Sequence, residues 1–302
     1  MKDAPIRQLV KQQGALKGFI VRTLTALVLG IILLAADLFG GVMGWAVVVA
    51  LVAALCASEF YHVMRSEHHR ANELLGVMAS AIMPIAAAIY ATRATPGIPG
   101  LAIGASSASE LGAVGLTAVV GGLILAALVW NIAFRRVKGT DTSTTVFGAM
   151  YAGFTLSHLV LVRALDSGAE IIVIILASVW AMDVFAYFIG SAIGTHRLAP
   201  HISPKKTWEG FAAGTVGTVA AWTIGWYLIH TSLPLWWFVV TGLVVSVAAL
   251  LGDLAESRLK REMNVKDSGR LLPGHGGFLD RFDSLIVVSV VVYYLMLLGG
   301  AH

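Results

Sequence analysis

The sequence predicts an all-α, polytopic integral membrane protein with about nine transmembrane helices, and three observations lead there. Of the 302 residues, 58% are hydrophobic and only 13% charged, where a soluble domain carries about a quarter charged. The apolar residues fall into runs of roughly 18 or more, the length that crosses a bilayer as a helix. Short polar loops separate the runs, and the basic residues collect in every second loop.

Taken in order, the spans are expected at 19–38, 42–58, 74–92, 112–134, 146–165, 171–193, 210–230, 235–252 and 282–299. A basic start, Lys2 to Arg22, precedes the Leu24–Ala36 run and resembles a signal anchor; with so many later spans it reads as a retained first helix. The second span is short, so it tilts little or packs inside the bundle. Between the third and fourth, residues 96–112 are rich in Gly, Pro and Ser and read as a loop. The sixth span carries Asp183 near its middle, the eighth closes on Asp253, and the ninth opens with Asp280 and Asp283. No internal repeat and no soluble domain is evident.

Counting charges sets the orientation. With the N-terminus inside, 19 of the 21 Lys and Arg fall in cytoplasmic segments, and only Arg93 and Arg163 fall outside. Positive-inside bias orients membrane proteins, and one span more or fewer would destroy this alternation. The N-terminus is expected to be cytoplasmic and the C-terminus external. The net charge of +4 is then a property of inner loops rather than of a nucleic-acid surface, so no nucleic-acid partner is expected. The single cysteine, Cys56, excludes an internal disulfide.

Acids are rare inside membranes because an Asp near a helix centre costs roughly 2.5–3.5 kcal/mol on insertion scales. Asp183 therefore reads as functional, against the plainer alternative of a partnered residue that only fixes packing. Asp253, Asp280 and Asp283 would singly be ordinary interfacial charge; together they place three acids at adjacent helix mouths on one side. The spacing of three puts Asp280 and Asp283 on one helix face. Acids gathered with bases and glycines, without His pairs at zinc spacing, suit a hard cation held by oxygen. Mg²⁺ takes one or two carboxylates plus waters and substrate phosphates. Lys and Arg would take phosphate charge, and Gly274, Gly276 and Gly277 would let backbone approach a ligand or turn the chain into the helix. In the other polar loop, Ser203-Pro204 favours a turn, Lys205 and Lys206 present charge, and Thr207 caps the following helix. Alone, that loop reads equally well as an anchor to anionic lipid.

Residues 257–284 resemble the signature of the CDP-diacylglycerol synthases, or phosphatidate cytidylyltransferases. The pattern runs Ser257-x-Leu259-Lys260-Arg261, four residues, Lys266-Asp267-x-Gly269, then Pro273-x-His275-Gly276-Gly277-Phe278-x-Asp280-Arg281-Phe282-Asp283. GDLAES at 252–257, WAMDVFAYFIG at 180–190 and SPKKTWEG at 203–210 resemble further motifs of that family. The likeness covers about residues 145–299, and a match of that length at fixed spacing is far more specific than a lone glycine-rich loop.

The resemblance implies that CTP and phosphatidic acid give CDP-diacylglycerol and pyrophosphate, with Mg²⁺ and a second cation, K⁺. Asp253, Asp280 and Asp283 would be metal ligands and catalytic acids, with Asp183 in support and Lys260 catalytic. Ser203, Lys205, Lys206, Ser257, Arg261, Lys266, His275, Gly276, Gly277 and Arg281 would bind substrate. For His275 three roles stay open: phosphate contact, acid, or organiser of the turn. The family also implies a homodimer, and the short polytopic build suits a bacterial inner membrane. Residues 1–144 are then an N-terminal transmembrane region and 145–302 the catalytic one, with cytoplasmic loops 194–209 and 253–281.

The chemistry is consistent with these residue types. A phosphomonoester has a second pKa of about 6, so the phosphatidate phosphate is already anionic and needs no strong base; repulsion and misalignment are the barriers. Other readings are a cytidylyltransferase or CTP-dependent kinase acting on another lipid, and a transporter using Asp183 as an ion relay. A CDP-alcohol phosphotransferase fits poorly, because Gly252-Asp253 reverses the expected Asp-Gly order and no Ala-Arg follows.

Overall fold

In a bilayer every backbone N–H and C=O must be satisfied within the protein, so each apolar run closes into a helix. The computed structural model describes residues 24–65, 70–94, 105–229, 231–269, 271 and 276–300. They form α1 (Leu24–Phe39), α2 (Gly41–Arg65), α3 (Glu73–Ala94), α4 (Ala105–Ala133) and α5 (Gly139–Ala149). A π-helical turn, Met150–Phe154, joins α5 to α6 (Thr155–Arg163). Then come α7 (Gly168–Ile193), strands β1 (Arg197–Ala199) and β2 (Ser203–Thr207), α8 (Trp208–Leu228), α9 (Leu235–Glu262) and α10 (Leu279–Gly299).

Where it is described, every expected span falls on helix to within a few residues at its ends. Among the described residues, seven helices are long and apolar enough to cross a membrane, with α5 to α6 counted as one. α1 is a shorter apolar helix, and the start of its expected span lies outside the described residues. α8 is 21 residues long but is not among the seven; Gly210, Gly214, Gly217, Gly225, Thr215, Thr218 and Thr223 dilute its hydropathy. The expected domain boundary at 144/145 falls within α5.

Two polar regions differ from expectation. Ser203-Pro204 is not a turn: Ser203 begins β2, which pairs antiparallel with β1 in the register Arg197↔Thr207 and Ala199↔Ser203. The reversal lies at 200–202, closed by Ile202 N donating to Ala199 O at 3.2 Å. A two-stranded ribbon has only edges, where proline is tolerated. Thr207 caps α8 as expected, its Oγ1 accepting from Gly210 N at 3.2 Å. The second difference is α9, which does not stop at 252 but continues to Glu262. Asp253, Ser257, Lys260 and Arg261 are therefore helical, and the loop is only 263–278. Hydropathy marks where lipid ends, not where helix ends. Beyond that point Glu256–Lys260 and Arg258–Glu262, both i,i+4 pairs at 2.6 Å, support further turns.

One core joins both halves of the chain: Trp45, Phe60, Leu156, Ile172, Trp222, Phe238 and Ile286 are all fully buried within it. Side chains on one helix tie to backbone on another. Trp45 Nε1 donates to Leu159 O (3.1 Å), Tyr61 OH to Thr145 O (2.6 Å) and Ser289 Oγ to Thr155 O (2.8 Å). Arg163, one of the two basic residues expected outside the inner loops, is neutralised by Asp37, which is fully buried, at 2.8 Å. That pair fastens the end of α1 to α6. The outer faces remain apolar at Leu27, Ile31, Leu125, Val129, Ile132 and Leu298, as a lipid-facing surface requires.

Candidate active site

The site begins where α9 crosses α10. A Cβ on Gly252 would lie 2.9 Å from Ser284 Cα, so only glycine lets the two backbones touch, and Ser284 Oγ donates across the contact to Ala249 O at 3.1 Å. This crossing brings the neighbouring residues Asp253 and Asp283 side by side. Asp183 on α7 completes the group: the three carboxylates lie within electrostatic reach of one another, of Lys206 and, for Asp183, of Arg281. Lys206 Nζ sits 2.5 Å from Asp253 Oδ2, and Ser257 Oγ donates to Asp253 Oδ1 at 3.2 Å. Three acids thus face one close ammonium, an arrangement that attracts further positive charge.

Lys206 comes from the hairpin, which is locked to α8 at its base. Thr195 Oγ1 donates to Glu209 Oε1 at 2.9 Å, and His196 Nδ1 lies 2.6 Å from the same oxygen. The contact with His196 holds the Glu209 carboxyl down at about 2, so it stays ionised through the neutral range.

Two cavities meet at this cluster. The larger, about 510 Å³, is lined by Arg197, Lys205 and Lys206 and by Asp183, Asp253 and Ser284. The smaller, about 210 Å³, runs between α1 and α7 past Leu29, Leu33 and Trp180 to Asp280, Arg281 and Asp283. Asp183 and Ser284 line both. Both cavities are lined mainly by apolar residues; the larger carries Arg197, Lys205 and Lys206 beside its acids, the smaller carries Arg281 beside three acids.

Asp280 and Asp283 share the smaller cavity but not their partners. Asp280 accepts from Lys260 Nζ (2.6 Å), Gly277 N (2.9 Å) and Ser268 N (3.1 Å). Lys260 also pairs with buried Glu256 at 2.6 Å. Gly276, at φ +87°, turns the chain into this arrangement in a backbone region that suits glycine. Of the other expected residues, Lys205 and Arg281 line cavities, and Arg261 donates from Nε to Ile202 O at 3.4 Å. Ser203 begins β2, and Lys266 is exposed in the 263–278 loop. His275 lies outside the described residues.

Sequence reasoning missed three residues. Glu256 lay inside a quoted motif, but its burial has no local signal. Glu59 ends an apolar run and reads as interfacial charge, yet it is only 4% exposed. Tyr151, on the π turn, has a buried hydroxyl without a hydrogen-bond partner among the described residues, within electrostatic reach of Asp253, Glu256 and Asp283.

Among the described residues, no group of three or more His, Cys, Asp or Glu side chains could hold a metal ion. Mg²⁺ asks for less, one or two carboxylates with waters and substrate phosphates completing its shell. Asp253 and Asp283 supply that number, and the position of Lys206 shows that positive charge is accommodated there. The donor set fits such an ion.

A model of the cytidylyltransferase family matches residues 20–298. The chain is 41% identical over 167 residues to a phosphatidate cytidylyltransferase of Bacillus subtilis, covering 54% of this chain and 62% of that protein. It is 45% identical over 148 residues to one from Brucella abortus, covering 48% and 54%. With one from Mycobacterium tuberculosis it shares 34% over 221 residues, 67% of each. The chain thus spans little more than half the length of the first two relatives.

Proposed function

We propose, since the chain belongs to the cytidylyltransferase family, that it is a phosphatidate cytidylyltransferase, converting CTP and phosphatidate to CDP-diacylglycerol and pyrophosphate. The observation that carries this reading is the junction, at Asp183, of a cavity that presents Arg197, Lys205 and Lys206 beside Asp253 with a second that runs past Leu29, Leu33 and Trp180 to Arg281 and Asp283. An anionic nucleotide and an anionic lipid need such a junction, because their phosphates must meet while their other parts occupy unlike solvents. The larger cavity suits CTP, with Lys205, Lys206 and Arg197 facing its phosphates. The smaller suits the lipid, its acyl part along α1 and α7 and its phosphate toward Arg281.

In the reaction a phosphatidate oxygen forms a bond to the α-phosphorus of CTP while the bond from that phosphorus to the bridging oxygen breaks, and pyrophosphate leaves with the electron pair. No proton has to be removed first. Lys205 and Lys206 neutralise the departing pyrophosphate, and the cavity walls hold the reacting groups in line. Bound Mg²⁺, held by Asp253 and Asp283, would supply charge neutralisation at the phosphates. Asp280 would join that shell only by giving up Lys260. Orientation belongs to the same proposal: an inward N-terminus puts the hairpin and the 263–278 loop on the cytoplasmic side, where CTP is found. So do a bacterial inner membrane and the homodimer that the family resemblance implies.

The test is to supply purified protein with phosphatidate, labelled CTP and Mg²⁺, with and without chelator. CDP-diacylglycerol and pyrophosphate in equal amounts, lost on chelation, are expected. Release of CDP with a phosphorylated lipid would make the protein a kinase and overturn the reading.

A further inference from the structure

α10 starts without a cap of its own. Phe278 stands at the capping position and offers no side-chain acceptor, so the first amides of the helix must be satisfied from elsewhere. Glu59, a helix away on α2, does this: its Oε2 accepts from Leu279 N at 2.9 Å and from Ser268 Oγ at 2.9 Å. Asp280 takes the adjoining amides, Gly277 N and Ser268 N. The two carboxylates thereby divide one set of donors, and Ser268 is held by both.

The fit is close. A Cβ on Gly277 would run into Ser268 Oγ and the Glu59 carboxylate, and one on Gly269 would meet the same carboxylate. Yet Glu59 is costly where it sits. Its side chain is buried, and among the described residues no lysine or arginine is paired with it and Oε1 has no hydrogen-bond partner. A buried, half-satisfied acid is expensive, and an apolar residue would pack into α2 without that cost. Its compensation is electrostatic, a negative group at the positive end of α10, and positional, since it ties the 263–278 loop to a helix from the other half of the chain.

We infer that Glu59 is a positioning residue: by capping α10 and clasping Ser268 it sets the place of Asp280, and through Asp280 that of Lys260. The catalytic part of this inference rests on the proposed function; the structural part does not. The hairpin lysines contact none of these groups, so loss of the clasp should lower turnover and spare nucleotide affinity.

Three full-length proteins test it: wild type, Glu59→Ala and Glu59→Gln. Amide exchange at Ser268, Gly277 and Leu279 is read by mass spectrometry, with kcat and the KM for CTP measured alongside. Glu59→Ala is expected to exchange these amides about tenfold faster or more, and to lose about tenfold in kcat, with KM within about threefold. Glu59→Gln keeps an acceptor for Leu279 N and should stay within about threefold of wild type throughout. Wild-type exchange and kcat in Glu59→Ala would overturn the inference, as would a Gln variant as impaired as Ala. If Glu59→Ala fails to accumulate, Ser268→Ala removes the other end of the clasp, and unchanged exchange there would count against it equally. Should wild type release no pyrophosphate while the exchange pattern holds, the reaction is refuted and the clasp stands.

Discussion

Asp253 and Asp280 begin as similar acids on adjacent helices, and the fold treats them in opposite ways. Asp280 is wrapped in protein donors, with two backbone amides and the Lys260 ammonium on its oxygens, behind which Glu256 and Glu59 close the knot. Asp253 keeps one lysine and one serine hydroxyl, shares its field with Asp183 and Asp283, and opens on a cavity of about 510 Å³. A carboxylate answered by amides and a buried ammonium already has its partners within the protein. One crowded by other acids beside a cavity is still short of positive charge, and it is the one we propose for a ligand.

That contrast can be broken by mutation. The largest effect belongs to Asp253→Asn, expected to cut pyrophosphate release at least ~100-fold, while the detergent-solubilised protein melts at or above the wild-type temperature because like charges are relieved. A lowered melting point would place Asp253 with the structural acids. Asp280→Asn should also lose turnover, but it alone of the two should destabilise, by about 2 kcal/mol, since Lys260 and Glu256 lose a buried partner; denaturant titration in micelles measures this. Next, Lys206→Ala is expected to raise the KM for CTP about tenfold, read from initial rates. An unchanged KM would remove the hairpin from the nucleotide site. Smallest of all, Arg258→Ala breaks an exposed helix pair and should shift stability by no more than ~0.5 kcal/mol.

The same contrast explains how much was legible beforehand. Asp183, Asp253, Asp280 and Asp283 announce themselves because charge is conspicuous in an apolar chain, and Lys205 and Lys206 because they stand together in a short polar loop. Hydropathy located the helices for the same reason. It misjudged α9, whose polar end stays helical through its own ion pairs, and the turn preference of Ser203-Pro204 misled where both residues are strand. Nothing local marks Glu59 as a cap for a helix more than two hundred residues later in the chain, since its partners are backbone amides that every sequence possesses.

By itself the sequence determined the all-α membrane architecture and the uneven spacing of charge along the chain, because those depend on composition and periodicity, which are additive along a chain. Only the tertiary structure decided which acids stay open and which are consumed. That depends on which backbone groups and ammonium ions a crossing such as Gly252 on Ser284 brings within reach. A carboxylate's availability is a property of its neighbours in space, and those are set by packing between helices far apart in the chain.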